Sequence, residues 1–71
     1  MLQFFERAGR RLRCETRLNP AGDGYELVIC EDQAERIERF QRIADLLARE
    51  HELLTAWRAI GWRQIDGPRF R

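Results

Sequence analysis

Arg11, Arg13 and Arg17 recur at alternate positions in one segment, and Phe4 lies in the segment before it. If both segments are strands of one sheet, guanidinium groups and an aromatic ring share a face. That combination can pair phosphates and stack bases, the chemistry of a single-stranded nucleic-acid platform. Glu6, Glu15 and Glu26 fall on the same face and neutralise much of its charge. A solvated lattice of cross-strand ion pairs is the commoner outcome of such a pattern. A second grouping on that face, Phe4, Val28 and Cys30, forms a small apolar patch suited to self-association.

Other reactive side chains stand apart. His51, the single histidine, lies between Glu50 and Glu52 with no nucleophile or second metal ligand near it in sequence. A general base or pH switch needs such neighbours, so a surface or helix-rim position is expected. Glu50 interrupts an apolar stripe and is expected at a rim, paired with Arg49 or Arg58 or reaching solvent. Cys14 and Cys30 form no CxxC pattern, and Cys14 reads as small apolar packing. Trp57 and Trp62 could anchor a partner, but a pair closing the end of a helix is the simpler role. No phosphate-binding glycine loop, HExxH, GxSxG or paired-carboxylate spacing is present, and no enzyme, cofactor or metal is expected.

These residues need a sheet and a helix to position them. Apolar residues mostly alternate from Leu2 to about Cys30, then recur every three to four residues from about Ile37 to Ile60. Residues 2–7 and 11–18 read as strands joined by a hairpin loop at Gly9-Arg10, where Gly would supply the positive φ of a type II′ turn. The run Asn19-Pro20-Ala21-Gly22-Asp23-Gly24 is a dense turn signal before a third strand, Tyr25 to Glu31. Alternation places Phe5, Leu12, Cys14, Thr16, Leu18, Tyr25, Leu27 and Ile29 on the core side. A register with Leu18 opposite Tyr25 pairs Arg17 with Glu26 and Arg11 with Asp32. It also puts Cys14 and Cys30 on opposite faces, which disfavours a disulfide.

Residues 34–40 admit two readings. Asp32 followed by Glu35 resembles a capping box that would start a long helix near residue 33. That helix would reach roughly 40 Å and overhang the sheet, so a fourth strand, with the helix beginning near Gln41, is the preferred reading. Ile43, Leu46, Leu47, Leu53, Leu54, Trp57 and Ile60 then form the helix stripe. Gly61 fits a left-handed C′ position, with Trp62 at C″ covering Trp57. Trp62 to Ile65 returns along a sheet edge, and residues 66–71 read as a flexible tail.

Composition bounds the rest. Seventy-one residues with net charge +1 make one domain, expected over residues 1–65. Binders of duplex DNA are usually far more basic. All thirteen cationic side chains are Arg, with no Lys. A chain this short buries only roughly 60% of the surface its unfolded form exposes, and pairing with a copy of itself is a cheap remedy. The start of the chain lacks the apolar run of a signal peptide, and no stretch approaches a membrane span, so a cytoplasmic location is expected.

The meander, the segment Glu35-Arg36-Ile37-Glu38-Arg39-Phe40 (E-R-x-E-R-F) and the helix ending Gly61-Trp62 resemble short uncharacterised bacterial proteins. The order of four strands then a helix also resembles the Whirly and Pur-alpha type of single-strand-binding regulator. That resemblance implies dimerisation through sheet and helix. The sequence therefore predicts an α+β fold: an antiparallel meander of three to four strands, then one long amphipathic helix on one sheet face. The function expected first is a non-enzymatic protein-interaction or assembly module, a homodimer joined through the outer sheet face or the helix flank. The alternative is a single-stranded nucleic-acid binder using Phe4, Arg11, Arg13 and Arg17.

Overall fold

Alternation of apolar and polar residues does build a sheet from the first forty residues. The computed structural model describes residues 1–65, and the tail expected at residues 66–71 lies outside them. Four consecutive strands form an antiparallel meander: β1 (Leu2–Arg7), β2 (Arg10–Leu18), β3 (Tyr25–Glu31) and β4 (Ala34–Phe40). One helix, α1 (Ile43–Ala59), crosses one face, and a short fifth strand, β5 (Arg63–Ile65), pairs antiparallel with β1. The spatial order is β4-β3-β2-β1-β5, an α+β arrangement with five strands. The return of Trp62 to Ile65 along the sheet is that fifth strand, beyond the three or four of the meander.

The choice at residues 34–40 falls to the strand. Asp32 does not cap a helix. It adopts φ 55° at the first position of the Asp32-Gln33 loop that joins β3 to β4. The first hairpin turns one residue earlier than Gly9-Arg10. Its loop is Ala8-Gly9, with φ of 50° and 78°, and positive values at both positions are the mark of a type I′ turn. That turn twists as its strands do, so the twist outweighs the strain of placing Ala8 in the left-handed region. Gly24 is required for a different reason. Its φ is 150°, and a Cβ there would lie 2.6 Å from the Phe40 carbonyl oxygen.

Phe5, Leu12, Cys14, Leu27 and Ile29 point from the sheet into the core, where Leu46, Leu53 and Trp62 meet them. Each fully buried large side chain contributes about 1.5–3 kcal/mol. Trp57 packs edge-on against Phe5, with centroids 5.6 Å apart. Leu18, expected on the core side, is 69% exposed, because it ends β2 beyond the helix. Ile43, Leu47 and Ile60 of the stripe are also exposed, since α1 rests mainly on β3 and β4 and cannot turn so wide an apolar arc inward.

The helix ends as its residues predict. Trp62 N–H donates to the Trp57 carbonyl at 3.0 Å and Gly61 N–H to the Arg58 carbonyl at 3.2 Å, the paired bonds of a Schellman motif. Gly61 supplies φ 101°. Its start is plainer: Arg42 occupies the N-cap and makes no side-chain capping bond. Arg49 compensates by tying α1 to the sheet, donating through Nε and Nη2 to both oxygens of Glu38 on β4, at 2.9 and 3.2 Å. Among the described residues, no helix is long and apolar enough to cross a membrane.

Candidate interaction surface on the helix-free sheet face

The face opposite α1 is ordered into cross-strand rows by the register. Arg39, Glu26 and Arg17 form one row, and Ile37, Val28, Glu15 and Leu2 the next. Glu35, Cys30, Arg13, Phe4 and Ile65 form a third, and Arg11, Glu6 and Arg63 a fourth. Leu18 stands opposite Tyr25 and Arg17 opposite Glu26, as the sequence predicts.

Ion pairs hold most of the charge. Glu26 is 3% exposed and accepts from Arg17 Nε at 3.0 Å and Arg39 Nε at 3.1 Å. Arg63 donates to Glu6 at 2.6 Å, and Arg13 reaches Glu35 at 3.4 Å. Arg11 and Asp32 do pair through their backbones, with the Asp32 N–H donating to the Arg11 carbonyl at 3.0 Å. The guanidinium that meets the Asp32 carboxylate belongs to Arg10 instead, at 3.1 Å. Among the described residues the Arg11 side chain makes no ion pair.

A shallow depression of about 250 Å³ opens on this face. Phe4, Arg11, Arg13, Cys30 and Asp32 line it, over Phe5 and Leu12. The structure thus brings together Phe4, Arg11 and Arg13 and leaves Arg17 outside, held by Glu26. Phe4 and Cys30 of the expected apolar patch also meet here. Val28 is 1% exposed, sheltered between Glu15 and Ile37, and offers little surface. Ile37, Leu2 and Ile65 were not singled out in the sequence but share the face. Ile37 becomes legible only once residues 34–40 are known to be a strand, because alternation then sets it beside Val28.

The remaining candidates are dispersed. His51 is exposed on α1, as expected for a surface histidine. Glu50 is not at a rim. It is 8% exposed, and Arg49, one of its expected partners, is engaged by Glu38 and Glu52. Cys14 and Cys30 are free thiols on opposite sheet faces, as the register requires. Burial, helped by the nearby Glu50 charge, pushes the Cys14 thiol up to about 11, so it is a poor nucleophile. Among the described residues no three His, Cys, Asp or Glu side chains converge as a metal site.

The carboxylates make acid stability predictable. Hydrogen bonds from Arg17 and then Arg39 hold Glu26 below its ordinary value of 4.5, and Arg49 does the same for Glu38. The unfolded chain therefore takes up protons first as pH falls. The stabilisation is full above pH 4.5 and is lost as pH drops through the lower folded values. The urea midpoint is expected to fall steeply below pH 4.5, and less steeply in the Glu38→Gln variant. Equal slopes in the two proteins would refute this source of acid sensitivity.

No protein-family model matches this chain, and no curated protein or solved structure gives a significant match to it.

Proposed function

We propose that this chain is a small non-enzymatic protein-interaction and assembly module that associates with copies of itself. The observation that carries this reading is the helix-free side of a five-stranded sheet. Its charges are of both signs and mostly satisfied within the chain, and apolar Leu2, Phe4, Ile37 and Ile65 lie among them. Such a surface suits a protein partner better than a polyanion. A cytoplasmic setting agrees with two free thiols. Sedimentation equilibrium is expected to show a mass rising with protein concentration towards a dimer, and a monomer mass at every concentration would overturn the reading.

A second reading, a single-stranded nucleic-acid binder, is favoured by the depression that joins Phe4 to Arg11 and Arg13. Arg11 is the cation best placed for a phosphate there. Titration of labelled single-stranded DNA and RNA tests this directly. Binding that fades with salt and weakens in Arg11→Ala supports it, and no binding at low salt removes it.

A further inference from the structure

β4 is the outer strand of the sheet on the side away from β5, and its sequence is A-E-R-I-E-R-F. The direction of its backbone groups follows from the neighbouring ladder. The bonds from Asp32 N–H to the Arg11 carbonyl and from Asn19 N–H to the Gly24 carbonyl set which positions of β2 and β3 turn their backbone groups to each other. By alternation, these are Arg13–Cys30, Glu15–Val28 and Arg17–Glu26. Leu27, Ile29 and Glu31 therefore turn their backbone groups the other way, to Glu38, Arg36 and Ala34 of β4. The N–H and C=O groups of Glu35, Ile37 and Arg39 are left pointing out of the sheet. They have no backbone partner among the described residues.

We propose that this edge pairs with the same edge of a second copy of the chain, antiparallel and two-fold symmetric about Ile37. The proposal rests on the self-association reading and assigns it to β4 rather than to the sheet face or the helix flank. In this register Ile37 meets Ile37 of the second copy, and Glu35 meets Arg39 of the second copy. These are the outward-pointing residues, so the seam closes about six backbone hydrogen bonds. On the helix side Arg36 meets Glu38, and small Ala34 meets bulky Phe40. Every charged position of the strand thus faces its opposite, although only one sequence supplies both strands.

Neighbouring registers lack this match. Parity of the backbone groups makes residues 36 and 38 the nearest other positions for the two-fold axis. The first sets Arg36 against its own copy, and the second sets Glu38 against its own copy. Like charges directly opposite are destabilising. On the outer side Glu35 and Arg39 are free to reach across, at 50% and 72% exposed, whereas on the helix side Arg36 is 60% exposed and Glu38, 24% exposed, already meets Arg49 and Arg36. Their intramolecular partners need not be given up, because a carboxylate accepts at both oxygens and a guanidinium carries five donors.

The test uses complementary charge variants. In Glu35→Arg the introduced cation faces Arg39 of the second copy, and in Arg39→Glu the introduced anion faces Glu35. Each variant alone is expected to dimerise at least about tenfold more weakly than the parent. An equimolar mixture restores opposite charges at both positions, so a heterodimer is expected in native mass spectra and sedimentation. Circular dichroism of each variant establishes that it is folded. Should either variant unfold, Ile37→Pro replaces it: its N–H points outward, so proline removes a seam bond and no bond within the sheet. A parent that stays monomeric overturns both this proposal and the self-association reading. A parent that dimerises, with variants that dimerise equally well, overturns the edge assignment and leaves self-association standing.

Discussion

Phe5→Ala is expected to remove a large part of the chain's folding stability. Phe5 is fully buried at the centre of the core, between the sheet and Trp57, with the two rings in edge contact. Truncating it removes the apolar area and leaves a cavity that rigid neighbours, the hydrogen-bonded strands β2 and β5, cannot fill. Phe→Ala in such a place costs about 3–5 kcal/mol. A chain of this size has roughly 4–10 kcal/mol of stability at the usual value per residue. Chemical denaturation should show the folded baseline shortened or gone in Phe5→Ala. Phe5→Leu, which keeps most of the volume, should lose less than half as much. If both variants unfold at the parental midpoint, the core is centred elsewhere.

Gly24→Ala is the second large effect. The added methyl would sit 2.6 Å from the Phe40 carbonyl oxygen; the methyl is fixed in direction by its Cα and the oxygen belongs to the backbone, so neither can swing aside. The residue also holds φ 150°, a region essentially reserved for glycine. Clash and strain together should cost about 3 kcal/mol. Gly22 provides the comparison within the same turn. Its φ is 79°, but a Cβ there meets nothing within 4 Å. Gly22→Ala should therefore cost only about 1 kcal/mol. The two melting temperatures separate the explanations: equal losses would mean that φ alone matters and the contact with Phe40 does not.

The parts of this fold that were legible in the sequence are those set by neighbours along the chain. Alternation alone sends Phe5, Leu12, Cys14, Leu27 and Ile29 to one face, and the Gly61-Trp62 ending specifies its own hydrogen bonds. Leu18 obeys the same alternation but lies past the reach of α1, a fact of helix placement rather than of pattern. Residues 34–40 could not be decided locally, because Asp32 and Glu35 also fit a helix start. What settles them is β3, whose outward side chain Val28 is covered only when Ile37 lies beside it. Glu50 shows the reverse limit. Its charge argues for a rim, yet its position on α1 between Leu46 and Leu53 carries it inward. The depression itself was legible in part: Phe4, Arg11 and Arg13 follow from alternation and the Arg17–Glu26 pair from the β2–β3 register, whereas the second cation on Glu26, Arg39, depends on β4.

β5 has a consequence out of proportion to its three residues. A meander of four strands alone would expose two long margins, β1 on one side and β4 on the other. Units with two sticky margins add head to tail without limit, and an open-ended fibre is the result. Arg63–Ile65 lies along β1, opposite Phe4 to Glu6, and takes up that margin. On the edge-pairing proposal, growth then has one productive starting place, and the two-fold contact uses it up. If β4 pairs as proposed, the short return strand makes a finite particle, rather than a filament, the end point of that assembly.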